Sequence, residues 1–316
     1  MTQNLDNMAS VALGYLASDK GAALATVILT WGSAPRPVGS QLAIAEDGAF
    51  QGSVSGGCVE GAVILAAQDA IHDGKCRVLE YGVADEEAFA VGLACGGNIR
   101  ILVEPVGVGD GPDTQLLKDA THAADTRQSF AYRVDLRNWS RECVKPEGLM
   151  MGVEGNQFTY VANPGLRMII VGAVHVTQTL APLARMAGYD VLLVDPRDSF
   201  ATKARFPKEN FVDAWPDEAL TQIGLDAHTA VITLSHDPKI DTPALAVALK
   251  SGVFYIGALG SKKTHAKRVA ELQSQGFTSA EIARIHGPIG LDIGSKTPAE
   301  IAISIMAEVT ESLRRP

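Results

Sequence analysis

The second half of the chain alternates between two kinds of segment, and this alternation limits the fold more than any other feature. Leu166 to Val171 is a continuous apolar run, the pattern of a strand buried on both faces. Gly172-Ala173-Val174-His175-Val176-Thr177 then opens a helix that closes near Gly188, and a second apolar strand, Val191 to Val194, ends at Asp195. An acidic residue about twenty positions after the opening glycine is the layout of a dinucleotide-binding βαβ unit. The alternation continues through His228 to Leu234, a helix from Asp241 to Lys250, and Val253 to Leu259. A further helix has Ala266, Val269, Ala270 and Leu272 on its apolar face. Thr278-Ser279-Ala280-Glu281 and Thr297-Pro298-Ala299-Glu300 are capping boxes, the second with proline at the first helical position, and the last helix runs to about Leu313. Strands alternating with helices predict a parallel sheet whose ligands bind beyond the carboxyl ends of its strands.

The glycine fingerprint inside this unit is broken. Val174 stands where the second glycine belongs and Thr177 where the third belongs. The second glycine lets backbone approach a pyrophosphate, and a β-branched valine hinders it. The fold is therefore expected, and tight NAD binding is not. Asp195 is placed for a ribose hydroxyl. His175, at the helix start, reads equally as a ligand contact, a cap or a packing residue. Gly172, Arg197, Ser261, Lys262 and Lys263 lie on loops at the carboxyl edge. Their basic groups are candidates to meet phosphate, although solvated surface lysines are the commoner outcome.

Asn163-Pro164-Gly165 is the strongest boundary signal, which divides the chain into residues 1–163 and 164–316. In the first half, Leu5, Met8, Ala12, Tyr15 and Leu16 share a helix face, and Ala22 to Leu29 reads as a strand. Thr30 to Gly39 carries two prolines and two glycines and cannot continue either element. Within it Gly32, Ser33 and Gly39 let a ligand approach the backbone and Arg36 suits an anion; the alternative is an ordinary connection with a solvated Arg36, and the loop's position just before the hairpin and Cys58 favours function. Asp47-Gly48 between Gln41 to Ala45 and Ala49 to Val54 predicts a tight hairpin. Next comes Gly52-Ser53-Val54-Ser55-Gly56-Gly57-Cys58-Val59-Glu60, followed by a helix with Val59, Val63, Leu65, Ala66 and Ile71 on its apolar face and Gly74 at its end. Cys58 is thus expected at a strand-to-helix junction, where free N–H groups favour negative charge and help a thiol ionise below its usual pKa of roughly 8.5. The bland alternative is a buried small hydrophobe behind a turn. Farther on, Asp85 to Leu93 reads as a helix ending in Ala94-Cys95-Gly96-Gly97, a second cysteine beside a Gly-Gly pair. If the two corners converge, they offer two thiols and several N–H groups to one ligand. Cys76 and Cys143 lack such surroundings. Ser129 to Leu136 and Gly148 to Tyr160 have strand character, while Arg137 to Glu147 is uninformative.

The net charge of −9, without a long basic run, argues against nucleic acid or an anionic membrane as partner. No signal peptide and no bilayer-length apolar run are evident, so a cytoplasmic location is expected. Four cysteines in 316 residues, with no C-x-x-C pair, suggest neither a disulfide framework nor a structural zinc site.

These motifs together resemble the XdhC/CoxI family of molybdenum-cofactor chaperones. The matching stretches are Gly32 to Gly39, Gly52 to Glu60, Cys95-Gly96-Gly97 with Val103-Glu104-Pro105, Tyr255 to Ser261, and Gly287 to Glu300. The resemblance implies an α/β protein with an N-terminal mixed α/β domain followed by a C-terminal Rossmann-like parallel-sheet domain. It implies binding of molybdenum cofactor, as molybdopterin or its cytosine dinucleotide form. It further implies support of the cofactor's sulfuration and insertion into an apo-molybdenum hydroxylase such as xanthine dehydrogenase or aldehyde oxidase. A cysteine desulfurase is the implied second partner, a homodimer the implied assembly, and a maturation factor without turnover of its own the implied role. Cys58 and Cys95 fall at the family's Gly-Gly-Cys and Cys-Gly-Gly positions and become candidates for contact with molybdenum or sulfur. Ser53, Ser55, Gly56, Gly57, Glu60, Gly96 and Gly97 accompany them as candidate cofactor contacts. Gly172-Ala173-Val174-His175 departs from the family's Gly-x-Gly-His. The competing class is an NAD(P)-dependent oxidoreductase using the Rossmann-like half. A third possibility gives the second domain only a dimerisation role.

Overall fold

The computed structural model describes residues 7–32, 36–82 and 98–315, and the backbone divides into two compact units, Met1–Pro164 and Gly165–Pro316. The first unit contains α1 (Met8–Ala17), β1 (Ala22–Trp31), β2 (Gln41–Ala45), β3 (Phe50–Gly52), α2 (Glu60–Asp73), β4 (Arg77–Tyr81) and β5 (Asn98–Pro105). It continues with α3 (Thr114–Asp125), β6 (Phe130–Asp135), β7 (Arg141–Val144), β8 (Gly152–Glu154) and β9 (Gln157–Ala162). Strands β3-β2-β1-β5-β4 form one antiparallel sheet and β7-β6-β9-β8 another.

The alternation of β1 decides how the first sheet is covered. Ala23, Ala25 and Val27 pack with Val63, Ala67 and Ala70 of α2. Leu24 faces the other way into a cluster with Met8 and Ala12 of α1, and Ile28 into one with Val134 and Phe158 of the second sheet. Side chains that alternate across a strand and find cover on both faces make β1 the centre of the unit. The hairpin predicted around Asp47-Gly48 is present, with Leu42 opposite Gly52. Gly74 ends α2 in the left-handed conformation, which closes a helix without a Cβ clash.

Some boundaries differ from the sequence reading. Strand β1 runs on to Trp31, into the predicted loop. The buried face of α2 is Val63, Ala67 and Ala70, whereas Leu65 is exposed. The segment Gly148 to Tyr160 contains two strands, since Glu154 pairs with Gln157 across Gly155-Asn156, a two-residue hairpin signal. Strand β7 lies within the uninformative stretch Arg137 to Glu147, because it is short and has little apolar alternation. The helix predicted at Asp85 to Leu93 lies outside the described residues.

The second unit contains β10 (Arg167–Val171), α4 (His175–Met186), β11 (Asp190–Val194), β12 (Asn210–Val212), α5 (Pro216–Ile223), β13 (Thr229–Thr233), α6 (Pro238–Leu249), β14 (Tyr255–Ala258), α7 (Lys262–Ser274), α8 (Ser279–Ile282), β15 (Ile285–His286) and α9 (Pro298–Arg314). All six strands run parallel in the order β12-β11-β10-β13-β14-β15, the doubly wound dinucleotide-fold arrangement. Strands β10 and β13 are buried along their whole length. Met168 and Ile170 pack on one face with Leu180 and Ile305, while Ile169 and Val171 pack on the other with Leu220 and Leu245. Both predicted capping boxes form, Thr278 with Glu281 and Thr297 with Glu300. Helix α6 begins at Pro238, earlier than the predicted Asp241, because Asp237 caps it and proline suits the first helical position. The order reverses between β10 and β13, which places the switch point at the ends of those strands. Among the described residues no helix is long and apolar enough to cross a membrane.

Candidate functional site

Residues 52–60 form a turn organised by its own acid. Gly52, Gly56 and Gly57 adopt φ of 97°, 77° and 115°, the left-handed region that glycine enters without strain. This curls the backbone so that successive N–H groups converge on the Glu60 carboxylate. Oε1 accepts from the N–H groups of Val54 (3.2 Å), Ser55 (2.9 Å) and Gly56 (3.0 Å) and from Ser53 Oγ (2.8 Å). Oε2 accepts from the N–H of Gly57 (2.8 Å) and from Ser55 Oγ. Glu60 is only 8% exposed. Burial works to raise its pKa, but hydrogen bonds from the side chain and backbone of Ser55 and from Ser53 outweigh it and hold the carboxyl at about 2.

This geometry revises the expectation for Cys58. The N–H groups expected to favour negative charge beside the thiol are donated to Glu60 instead. Cys58 itself is a free, half-buried cysteine just before Val59, the N-cap of α2, and packs at the edge of the α2 core. It is neither sealed in nor fully exposed. Ser33, Cys95, Gly96 and Gly97 lie outside the described residues, and with them the question of convergent corners.

A cavity of ≈ 270 Å³ adjoins this turn, lined by Arg36, Gly39, Ser40, Gln41, Gly52, Met8, Met151 and Tyr160 among others. It brings together two predicted residues, Arg36 and Gly39, with Gly52 at the start of the Cys58 turn. Ser53, next in the chain, donates its N–H to the Gln41 carbonyl (3.0 Å), so the cavity wall and the Glu60 turn share a backbone. Arg36 is exposed and has no ion-pair partner among the described residues. Gly39 (φ 89°) leaves the space that Met151 Sδ fills; a Cβ there would lie 2.0 Å from the sulfur. Tyr160 donates to Gln41 Oε1 (3.1 Å), and Gln41 Nε2 donates to Thr26 (3.0 Å), which fixes the polar wall. Gly32 is exposed at the end of β1. Gln41, on the hairpin strand β2, and Tyr160, on β9 of the second sheet, were not anticipated.

In the second unit, the carboxyl edge uses most of its polar groups internally. Asp195 Oδ1 accepts from the N–H (3.0 Å) and Nε (2.8 Å) of Arg197, and Oδ2 from Arg197 Nη2 (2.7 Å) and the Ala173 N–H (2.7 Å). Burial tends to raise its pKa, but Arg197 and the two backbone donors leave it lowered. An Asp with both oxygens so engaged has no lone pair turned to a ribose hydroxyl, contrary to the placement inferred from the chain. Arg197 lies 3.9 Å over the Phe200 ring. The broken fingerprint also has a local explanation. Thr177 donates its hydroxyl to the Gly172 carbonyl (2.6 Å), and Val174 caps α4 in extended conformation while packing on the core. A Cβ on Gly172 (φ 112°) would lie 2.6 Å from Ser235 N, so glycine is required where two loops touch at the switch point. His175 is exposed at the start of α4, which excludes the packing alternative. Ser261 caps α7 by accepting the Thr264 N–H (3.1 Å), with Lys262 and Lys263 exposed beside it.

One polar centre went unrecognised in the chain. Arg141 Nη2 on β7 donates to Glu104 Oε1 on β5 (2.6 Å), and the same guanidinium reaches the carbonyls of Asp110 and Trp139 (2.7 Å each). Glu104 is fully buried, and burial raises its pKa against the opposing pull of Arg141. Cys76 lies 3.4 Å from Arg141 Nη2, and burial, with Glu104 adding to it, pushes the thiol up to about 12. This cluster ties the two sheets together and holds Cys76 as an inert thiol. The signal was an acid in the middle of the apolar run Ile101 to Val106.

Comparison with known proteins follows the same two-part layout. Residues 168–309 match the family model of the XdhC Rossmann domain, and residues 15–82 match that of the XdhC and CoxI family. The molybdenum cofactor insertion chaperone PaoD of Escherichia coli is 32% identical over 94% of this chain and 85% of its own length. A Bacillus subtilis protein described as a probable xanthine dehydrogenase component is 24% identical over 98% of this chain and 99% of its own length. A crystal structure described as a xanthine dehydrogenase from Bacillus halodurans superposes with a TM-score of 0.76 at 25% identity, covering 98% of this chain and 96% of that one.

Proposed function

The chain belongs to the XdhC and CoxI family, and from that premise we propose that it binds molybdenum cofactor and delivers it to an apo-molybdenum hydroxylase of the xanthine dehydrogenase or aldehyde oxidase type. The observation that carries this reading is the relationship to the E. coli insertion chaperone, which spans 94% of the chain. The cargo has a dithiolene-bound metal at one end and a phosphate at the other. It therefore needs soft or hydrogen-bonding groups at one point and a cationic group at another.

The first unit supports such a division. We assign Cys58, with Cys95, to the metal end or to the sulfur it receives. We assign Arg36, with the backbone at Gly39 and Gly52, to the phosphate. Arg36, which lines a cavity with Gly39 and Gly52, is preferred over Arg197, whose guanidinium is engaged by Asp195. Glu60 acts as a positioning residue: it holds the Val54–Gly57 backbone in the curl from which Cys58 is presented. Sulfur for the bound cofactor is supplied by a cysteine desulfurase, and the working assembly is a homodimer; both extend from the family resemblance.

An NAD(P)-dependent oxidoreductase is disfavoured by the saturated Asp195 carboxylate. The test is to titrate the purified protein separately with NADH, NADPH and molybdenum cofactor. Saturable binding of the molybdenum cofactor alone is expected. Saturable nicotinamide binding without it reverses the assignment. Co-precipitation with a desulfurase and light scattering test the remaining two statements.

A further inference from the structure

The outer surface of the second unit carries an apolar groove that takes no part in the site described above. Helices α4 and α9 share a core that includes Leu180, Ala184, Ile305 and Val309, and their outer sides leave a groove of ≈ 690 Å³. Leu183 and Ala187 line it from the first helix, Ile303, Met306 and Ala307 from the second, and Leu291 from the preceding loop. Ile303 is 52% exposed, and Met186, next to Ala187, is 85% exposed. A contiguous apolar patch of this kind marks an interaction surface. The order of residues along α9 indicates what covers it. Ala302, Ile305 and Val309 face the core, so Glu300, Ile303, Ala307, Thr310, Glu311 and Arg314 face outward. At 3.6 residues per turn these six form a stripe about 100° wide, centred on Ala307. Glu300 and Arg314 lie seven residues to either side of Ala307, at nearly the same angle around the helix. Both are exposed. Glu300 Oε2 accepts from the N–H groups of Lys296 (2.8 Å) and Thr297 (2.9 Å), which leaves Oε1 open among the described residues. Arg314 has no ion-pair partner among them, whereas Arg315 pairs with Glu311 at 3.7 Å.

We propose that a second copy of this chain covers the groove, with the two α9 helices antiparallel about a two-fold axis at Ala307. The proposal rests on the homodimer stated above and assigns its surface. Such an axis sets each residue opposite the one equally far beyond Ala307. Glu300 of each copy therefore meets the partner's Arg314, and the contact occurs twice. Ile303 comes against the apolar stems of the partner's Thr310 and Glu311. The small Ala307 side chain at the crossing lets the helices approach closely. An isologous contact needs a surface that is its own complement. An acid and a base placed symmetrically about a small residue, with apolar groups between, meet that condition. Other occupants match it less well. An acidic partner is repelled at Glu300 and a basic one at Arg314, while an apolar small molecule uses neither charge.

The test is sedimentation velocity of the full chain over a concentration series, combined with cysteine cross-linking. Wild-type protein is expected to reach twice the chain mass as concentration rises. Arg314→Glu should weaken the dimer at least tenfold, because it sets two acids together at each end, and Glu300→Arg in the same chain should restore it. Ala307→Cys keeps both charges and the α9 cap. Under mild oxidation it should form an inter-subunit disulfide at least tenfold faster than Ile293→Cys, which stands at a 54% exposed position off the stripe. Wild-type protein under the same oxidant sets the background from the native cysteines. This arm holds even where the charge swap loosens the cap. Cross-linking of Ala307→Cys no faster than the control overturns the proposal, whatever the charge variants do. A wild-type dimer that Arg314→Glu leaves at full affinity also overturns it, and the homodimer then stands on another surface. A wild-type monomer throughout the series defeats both statements about assembly, including where its groove takes up a fluorescent fatty acid. Cofactor binding is read separately by titration, so its failure is distinguishable from the failure of this surface.

Discussion

Replacing Glu60 by Gln is the sharpest perturbation of the turn that carries Cys58. The substitution keeps the shape and removes the charge on which four backbone N–H groups and two hydroxyls converge. One amide oxygen cannot serve all six donors, and the new NH₂ faces the Gly57 N–H and the Ser55 hydroxyl, both of them donors. The carboxyl's pKa falls from its ordinary 4.5 to about 2 on folding. A drop of roughly 2.5 units at about 1.4 kcal/mol per unit corresponds to about 3 kcal/mol of stability that depends on the carboxylate. Because the folded value lies below the unfolded one, this stabilisation is complete above pH ~4.5 and disappears as the pH falls towards ~2. Urea unfolding of the first unit, followed at pH 7, 4 and 3, should place the variant about 3 kcal/mol below wild type at pH 7, with the gap closing on acidification. Amide exchange at Val54, Ser55, Gly56 and Gly57 should quicken in the variant. Equal stability at pH 7, or a gap that stays constant down to pH 3, would refute the assignment of these donors to a charged Glu60.

Arg141→Met should cost about 3–5 kcal/mol, because it strands the buried Glu104 carboxylate, and Glu104→Gln in the same chain should recover part of it; a cost under about 1 kcal/mol in calorimetry contradicts a structural role for the pair. Cys58→Ala should lose cofactor retention or sulfur loading while Cys143→Ala retains both, and equal behaviour of the two variants removes Cys58 from the site. Arg36→Ala should weaken an anionic ligand about tenfold at low ionic strength and less at high salt, and an affinity unchanged at low salt returns Arg36 to the solvated surface.

The second unit was legible because its signals are local and repeated. Apolar runs such as Leu166 to Val171, the spacing to Asp195 and the two capping boxes each specify backbone structure within a few residues. What those residues then do with their polar groups was not legible. Asp195 keeps the position of a ribose-binding acid but spends its oxygens on Arg197 and Ala173, and no spacing rule distinguishes the two outcomes. The same holds for Glu60, which the motif included but whose capture of the Val54 to Gly57 N–H groups depends on three consecutive turns closing together. Arg141 was missed because its partner Glu104 is distant in sequence and its strand is too short to show periodicity. The cavity joined Arg36 and Gly39, chosen together in one loop, to Gly52 at the start of the Cys58 motif, while Gln41 and Tyr160 entered only through the hairpin and the second sheet.

Cargo carried by the protein from the cell is the most direct readout of the account. The chain expressed in a molybdate-replete host, purified quickly under reducing conditions and then oxidised, should release the fluorescent oxidised pterin in proportion to protein, with the yield reduced in Cys58→Ala and in Arg36→Ala. Absence of pterin from wild-type protein that retains a nicotinamide nucleotide would contradict the cofactor-delivery reading.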